Sequence, residues 1–172
     1  MVTTTGKERH KVDEHRARPS RRLIGTGFLI LGIALAVMAA RSRFVIVTVT
    51  GESMAPTFRR GDRVIVRRVR PSVLRPGQVV VFQRQGPGGH WGTAPLSTRA
   101  AARQPWYIKR IAAVAADPVP DLVAATVGES FVPEGKLVVL GDSDQSSDSR
   151  SWGFVPADRV LGIVVRRLRP RQ

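Results

Sequence analysis

A run of eighteen uncharged residues, 23–40, constrains this chain more than any other feature of its sequence. As an α-helix rising about 1.5 Å per residue, the run would span roughly 27 Å, close to the thickness of the hydrocarbon core of a bilayer. It is also longer than the apolar core of about 7–15 residues found in cleaved secretory signals. We therefore predict a transmembrane helix over residues 23–40, with a cleaved signal sequence as the alternative.

The charges on either side of this run predict its orientation. Residues 1–22 contain seven Lys and Arg, whereas only Arg41 and Arg43 follow the run closely. Basic residues favour the cytoplasmic side of a membrane. The chain is therefore predicted to be a single-pass protein of the cell membrane, with a basic cytoplasmic arm at 1–22 and an extracytoplasmic domain at 41–172.

The composition of the chain excludes or disfavours several kinds of functional site. The chain has no cysteine, which excludes disulfides, cysteine metal ligands and cysteine nucleophiles. Of its three histidines only His90 lies in the main body, so a Ser-His-Asp triad is disfavoured. The net charge of +15 is typical of proteins that bind nucleic acid or an anionic membrane surface. An extracytoplasmic body has little access to nucleic acid, so membrane lipid is the partner that we predict.

The main body has the pattern of a mainly β protein. Short β-branched runs alternate with Gly and Pro, and no helical periodicity is found after residue 40. This pattern predicts a mostly antiparallel twisted sheet or partly closed barrel. The predicted strands are residues 44–50, 62–69, 78–82, 106–114, 136–140 and 160–165.

Two reactive side chains lie in or beside predicted strands. Ser53 follows the first strand in a turn between Gly51 and Pro56, where a hydroxyl and free backbone N–H groups can be presented together. Lys109 shares a strand face with apolar neighbours, and a buried lysine can become neutral enough to act as a general base. The alternatives are a solvated turn serine and an edge-strand lysine that prevents aggregation.

A third polar segment, residues 141–156, has the sequence GDSDQSSDSRSWGFVP. The short intervals between its Asp residues are similar to those of a calcium-binding loop. However, an EF-hand needs Gly at position six and Glu at position twelve, where this chain has Ser147 and Gly153. The dense Ser and Asp run, which ends in Arg and Trp, instead indicates internal hydrogen bonding in a packed site.

Three motifs in order resemble those of bacterial type I signal peptidases, in their small single-anchor form. The motifs are GESMAPT at 51–57, YIKR at 107–110, and GD at 141–142 followed by SSDSR and WGFVP up to residue 156. Members of this family are membrane-bound serine–lysine endopeptidases, and the resemblance covers about residues 21–165. The family fold that it implies is a twisted, mostly antiparallel sheet after an N-terminal anchor.

The resemblance also implies roles for individual residues. Ser53 would be the nucleophile and Lys109 its general base. The backbone N–H of Ser53, in the Gly51 turn, would form part of the oxyanion hole. The supporting residues implied are Ser146, Asp148, Arg150 and Asp142. Because the 141–150 loop is one residue shorter than the common form, either Ser146 or Ser147 could hydrogen-bond the lysine amine.

The activity implied is removal of N-terminal signal peptides from exported preproteins, with small residues at the first and third positions before the cut. Neither a metal nor a cofactor is required, and a monomer is expected. Two alternatives stay open. One is a catalytically inactive, membrane-tethered β-domain, and the other is a processing peptidase dedicated to one exported or conjugative substrate.

Overall fold

The computed structural model describes residues 31–35, 37–39, 42–93, 96 and 106–168. The predicted arm, 1–22, lies outside the described residues, as does most of the predicted transmembrane helix, 23–40. Residues 31–35 and 37–39 are helical. Within the described residues, no helix combines the length and the apolar character needed to cross a bilayer. The chain divides into two units, 1–38 and 39–172, and the sheet lies in the second.

In the part of the chain that the structure describes, seven strands form one antiparallel sheet, which confirms the predicted mainly β class. In chain order the strands are β1 Phe44–Thr48, β2 Arg63–Arg67, β3 Val79–Gln83, β4 Trp106–Val114, β5 Lys136–Leu140, β6 Val155–Pro156 and β7 Val160–Leu168. Across the sheet the order is β1-β2-β7-β3-β4-β5-β6, so β1 and β6 are the edges and β4 is interior. Register shifts in three strand pairs introduce bulges that bend the sheet into a curled half-barrel.

The core lies on both faces of the central strands. Four consecutive residues of β3, from Val79 to Phe82, are buried because β3 pairs with β4 on one side and β7 on the other. One apolar cluster includes Phe82 and Ile111, and a second includes Met54 and Val81. Alternate side chains of β3 thus pack into different clusters, one on each face of the sheet. The close packing on both faces fixes the position of the neighbouring strand β4.

Within the described part of the body, two short α-helices occur although the sequence shows no helical periodicity there. Helix α1, Asp121–Val127, follows Pro120 and ends at Gly128, which adopts a left-handed conformation with φ 71°. Helix α2, Ser149–Trp152, has only four residues. In α1, Val123 is fully buried and Ala124 and Val127 pack beside it, but seven residues are too few to show this apolar face as a repeating pattern in the sequence.

Candidate active site

Lys109 is buried at the centre of the sheet, with only 1% of its surface exposed. It lies on interior strand β4, where Ile111 on the same face is also buried, as the alternation of the sequence predicts. Its Nζ donates a hydrogen bond to Ser146 Oγ at 2.6 Å. Because Lys109 is neither exposed nor on an edge strand, the anti-aggregation alternative does not fit this lysine.

Burial lowers the pKa of Lys109 from 10.5 to about 8, because the protein interior solvates an ammonium group poorly. The carboxylate of Asp148 opposes this shift, and the guanidinium of Arg150 adds to it. The Lys109 Nζ lies 5.8 Å from the centroid of the Trp152 ring, within range of a cation–π contact. A neutral fraction of Lys109 is therefore available near physiological pH.

Ser53 lies in the turn after β1 and is half-buried. The next residue, Met54, is fully buried and accepts a hydrogen bond at its carbonyl from the Phe58 N–H at 2.8 Å. On the other side, the Ser53 carbonyl accepts from the Ser143 N–H at 3.2 Å. The turn is thus anchored in the core through Met54 and tied to the 141–150 loop through Ser53 itself.

Asp148 organises the 141–150 loop from a fully buried position. Its side chain caps α2 by accepting from the Arg150 N–H at 3.1 Å, and it accepts from the Gly141 N–H at 2.8 Å. The Arg150 guanidinium donates to both carboxylate oxygens, at 2.9 and 2.8 Å. Burial alone would raise the pKa of Asp148, but these hydrogen bonds hold it below its usual value.

A second ion pair connects β4 to the nucleophile turn. Arg110, on the opposite face from Lys109, donates to both oxygens of Asp142, at 2.9 and 2.7 Å. The guanidinium also donates to the Gly77 carbonyl at 2.9 Å. Hydrogen bonds from Arg110 and Thr57 hold the pKa of Asp142 below its usual value. Since Thr57 belongs to the same turn as Ser53, this pair links three segments of the site.

Gly141 is required by close packing at the start of the loop. A Cβ at this position would lie 2.5 Å from the Ser53 carbonyl oxygen and would collide with the Ser146 hydroxyl. The absence of a side chain therefore lets Ser53 and Ser146 approach the same backbone. The contact with Lys109 also distinguishes the two serines left open by the sequence, because Ser146 binds the amine whereas Ser147 lines the cavity beside it.

Ser53, Lys109 and Ser147 line a single cavity of about 420 Å³, which we call the β1–β4 groove. Its other walls come from residues 47–51 and 106–108, together with Val81 and Arg84. Strand β1 pairs only with β2, and the β5 partner of β4 begins at Arg110. Within the described part of the chain, the groove therefore runs beside two backbone edges that no strand occupies.

Sequence comparison with known families decides what kind of protein has this site. The family described as "Signal peptidase, peptidase S26" matches residues 20–121 and 120–168. The chain belongs to this family. It is a serine endopeptidase, and the residues matched include the turn, the lysine strand and the 141–150 loop.

Individual relatives agree with the family match. The peptidase is 26% identical to Signal peptidase IB of Staphylococcus aureus in a gapped alignment 182 positions long, which covers 81% of this chain and 86% of the relative. It is 27% identical to Probable signal peptidase I-2 of Synechocystis sp. in a gapped alignment 192 positions long, which covers 99% of this chain and 81% of the relative. The predicted resemblance is thereby confirmed at the level of the family.

The structure brings the site residues named from sequence into two connected groups. Ser53, Gly51 and Lys109 line the groove, while the supporting residues Ser146, Asp148, Arg150 and Asp142 hold the loop behind it. Sequence reasoning missed the contact of Trp152 with Lys109 and the position of Arg84 in the groove wall. Trp152 could have been noticed because it adjoins the Ser-Asp-Arg run. No sequence signal indicated Arg84.

Proposed function

We propose that this peptidase is anchored in the membrane and removes signal peptides from exported preproteins with a Ser53–Lys109 dyad. The observation that carries the proposal is that the Ser53 turn and a buried lysine with a pKa of about 8 border one groove. A hydroxyl nucleophile needs a base able to accept its proton near neutral pH. Among the groove-lining residues described, Lys109 is the side chain that meets this need.

The proposed reaction is acyl transfer through an ester intermediate. Neutral Lys109 takes the proton of Ser53 Oγ as the oxygen attacks the scissile carbonyl, forming a tetrahedral oxyanion. The lysine ammonium then gives this proton to the leaving amine, and the peptide C–N bond breaks. Water next attacks the Ser53 ester while Lys109 accepts its proton. The tetrahedral intermediate collapses to the free carboxyl group, and the proton returns to Ser53 Oγ.

Backbone N–H groups are proposed to stabilise the oxyanion, with the Ser53 N–H as the principal donor. The turn that begins at Gly51 presents this group beside the groove. A donor held in place before the reaction stabilises developing charge without the cost of reorganising solvent. The link from the Ser53 carbonyl to the Ser143 N–H at 3.2 Å supports this arrangement by restricting the turn.

Ser146 is proposed to position the Lys109 amine. The hydroxyl accepts from Nζ at 2.6 Å, and this hydrogen bond restricts the orientation of the amine. Asp148 and Arg150 hold the loop that carries Ser146, and Asp142 holds the same loop to β4 through its pair with Arg110. These residues act through the lysine and the loop rather than on the substrate.

Substrate is proposed to bind as an extended strand in the β1–β4 groove. The open edges of β1 and of residues 106–109 offer main-chain donors and acceptors on both sides, as in other cases of strand addition. Val47, Val81 and Ile108 give the groove apolar walls. Such shallow apolar space suits small side chains at the first and third positions before the scissile bond. A substrate-mimic complex without strand pairing along residues 44–50 would overturn this placement.

The sequence-based topology is part of the proposal. Residues 1–22 are placed in the cytoplasm, 23–40 in the bilayer and 41–172 outside, which suits a peptidase acting on exported chains. Membrane lipid and preproteins are the proposed partners, and the peptidase is proposed to act as a monomer.

Substitution of the two dyad residues tests the proposal. Ser53→Ala removes the nucleophile, and Lys109→Arg keeps a positive charge that cannot be lost at usable pH. We expect preprotein cleavage by Ser53→Ala to fall to background and cleavage by Lys109→Arg to fall at least about 10²–10⁴-fold. Ser72→Ala, at an exposed serine away from the groove, is the matched control. Near wild-type cleavage by Lys109→Arg would defeat the dyad assignment.

The alternatives separate in the same experiment. An inactive membrane-tethered domain would cleave no preprotein even as the wild type. A dedicated peptidase would cleave one substrate, and Ser53→Ala should then retain that substrate during purification from cells. A general peptidase would instead retain many different preproteins.

A further inference from the structure

A second cavity, which we call the loop groove, is formed by side chains of the segment 83–92 and has a volume of about 750 Å³. It involves neither Ser53 nor Lys109. Arg84 lines both this cavity and the β1–β4 groove. The loop groove therefore adjoins the reaction groove, with one arginine at their junction.

Arg84 is an exposed cation supported by aromatic side chains. Its guanidinium carbon lies 5.5 Å from the centroid of the Tyr107 ring, a cation–π contact. The Tyr107 ring in turn packs against Phe82 at 5.8 Å and stacks on Trp152 at 4.6 Å. Because the ring below it is held on both sides, the guanidinium has a defined position at the junction.

The charge of Arg84 is unbalanced where it lies. Among the described residues that line the two cavities, none is acidic. The surrounding sequence explains this, since residues 63–116 contain no Asp or Glu while including Arg84 and Lys109. A ligand group that carries a negative charge would therefore meet attraction at the junction without competition from a neighbouring carboxylate.

Arg84 is the group at this junction that a ligand can reach, because its side chain is exposed. The neighbouring Gln83 Oε1 has no hydrogen-bond partner among the described residues, but it is buried and therefore closed to a ligand in the groove. A peptide would thus be recognised here through an acidic side chain that pairs with Arg84.

Strand register gives the distance between this junction and the reacting bond. Lys109 pairs with Val80, and Trp106 pairs with Gln83. Arg84 directly follows the end of β3 and is four residues beyond Val80, which is about 13 Å at about 3.3 Å per residue if the chain stays extended. An extended peptide with its scissile carbonyl near Lys109 reaches Arg84 with the side chain about four residues away.

We propose that the loop groove is a subsite for the peptide substrate and that Arg84 selects an acidic side chain about four residues from the scissile bond. This inference rests on the proposed function, because it assigns the peptide to the β1–β4 groove. Arg84 also disfavours Lys or Arg at the same substrate position, since two cations would then face each other across the junction.

The test is a charge scan of one peptide substrate against the full-length chain. Asp, Asn and Lys are placed in turn at positions two to six on each side of the scissile bond, and kcat/KM is measured at low salt. At one position about four residues from the bond, we expect the Asp peptide to exceed the Lys peptide by at least about fivefold. The preference should fall as salt is raised.

Charge reversal assigns this preference to Arg84. In Arg84→Glu the ratio of Asp to Lys peptides should invert at that position, and using a ratio within each variant cancels any general change in activity. Arg63→Glu, at an exposed arginine of β2 outside both cavities, should keep the wild-type ratio. A ratio of one at every position, or a preference unchanged by Arg84→Glu, would overturn the inference.

Binding separates this inference from the proposed function. The same peptides are titrated against Ser53→Ala, whose charge preference in binding does not depend on catalysis. A charge preference that Arg84→Glu inverts in that background supports the subsite even if the wild type cleaves nothing. Cleavage without any charge preference supports the function and refutes the subsite. If Arg84→Glu reduces binding to anionic vesicles only, the arginine serves lipid and the inference is again refuted.

Discussion

At Lys109, the fold and the proposed chemistry make opposite demands. A lysine with 1% exposure is poorly solvated as a cation, and its pKa of about 8 reflects that cost. The same cost makes the neutral amine available as a base. Leu or Met at this position would pack better but could not accept a proton.

The pH dependence of cleavage follows from this pKa. Below about pH 8 most Lys109 is protonated, so kcat/KM should rise about tenfold per pH unit and level off above that value. Lys109→Arg should lose most of its activity, and its remaining activity should not show this rise of kcat/KM with pH. Lys136→Arg, at the lysine of β5, should retain the wild-type profile. A wild-type rate independent of pH between 6 and 9 would contradict the assignment.

Stability should also rise with pH because of Lys109, but over a higher pH range than activity. Between the folded pKa of about 8 and the ordinary value of 10.5, the unfolded chain binds the proton more tightly, so wild-type stability rises with pH. Below pH 8 the buried charge destabilises the fold. Lys109→Met should therefore be more stable than wild type at pH 7, by about 2 kcal/mol, and the difference should shrink towards pH 10. Urea unfolding at both pH values measures it, and a less stable Lys109→Met at pH 7 would contradict it.

Gly141 provides a steric test of how tightly the site is assembled. The Cβ of Gly141→Ala would press on the Ser146 side chain, which binds Lys109, and on the Ser53 backbone carbonyl, so it would displace both residues. A displacement near 1 Å can cost about 10²-fold in rate. We expect at least that loss in kcat/KM. Gly32→Ala, where nothing lies within 4 Å, should change little. Full activity of Gly141→Ala would show that the contact is not needed.

At the scale of secondary structure, the 141–150 loop depends on Asp148 as the cap of α2. Asp148→Asn can still accept from backbone N–H groups but leaves the Arg150 guanidinium without its carboxylate. We expect a loss of about 1–3 kcal/mol and a lower kcat. The pKa of Asp148 in the folded protein is lower than its ordinary value of 3.8, so the ionised carboxylate stabilises the fold fully above about pH 4. This stabilisation is lost as the pH falls through the lowered pKa. The decrease in the free energy of unfolding on acidification should therefore be smaller for Asp148→Asn than for the wild type.

Asp144→Asn is the matched control for that prediction, since Asp144 is exposed in the same loop. Its unfolding midpoint and acid sensitivity should stay close to those of the wild type. Equal effects of the two substitutions would show that general loop charge matters rather than the buried cap.

Strands were predictable from sequence where alternation and turn residues agreed. The predicted bounds of β4 and β5, 106–114 and 136–140, match the structure. Strand β7 continues to Leu168, three residues beyond the prediction, because its basic end still pairs with β2. Helix α1 was missed because its apolar spacing, from Val123 to Val127, occurs only once in seven residues.

The site residues show the same difference between what the local sequence can predict and what depends on strand pairing. Ser53 and Lys109 were found because each lies in a local motif, and a motif is read along the chain. The position of Arg84 depends on which strands are neighbours and on their register, since Gln83 meets Trp106 only through the pairing of β3 with β4. Single-sequence patterns do not contain that pairing. Residues that act across the sheet are therefore the ones that sequence reasoning overlooked.

At the scale of the whole molecule, the chain length between the predicted anchor and the nucleophile limits where cleavage can occur. Thirteen steps separate residue 40 from Ser53. At about 3.3 Å per extended residue this is at most roughly 40 Å, and turns shorten it. In the proposed topology, a preprotein would thus be cut close to the bilayer surface, where a signal peptide leaves the membrane.

The charge distribution then predicts which parts a protease can reach in intact spheroplasts. In the proposed topology, the seven basic residues before the apolar run would retain the arm, 1–22, in the cytoplasm, and the body, 41–172, would lie outside despite its own excess of basic residues. Protease added outside should degrade the body and spare an epitope tag on the arm, as judged by immunoblotting. Permeabilised spheroplasts, in which both parts are degraded, provide the control. Protection of the body with loss of the arm tag would reverse the orientation and place the groove on the wrong side for exported substrates.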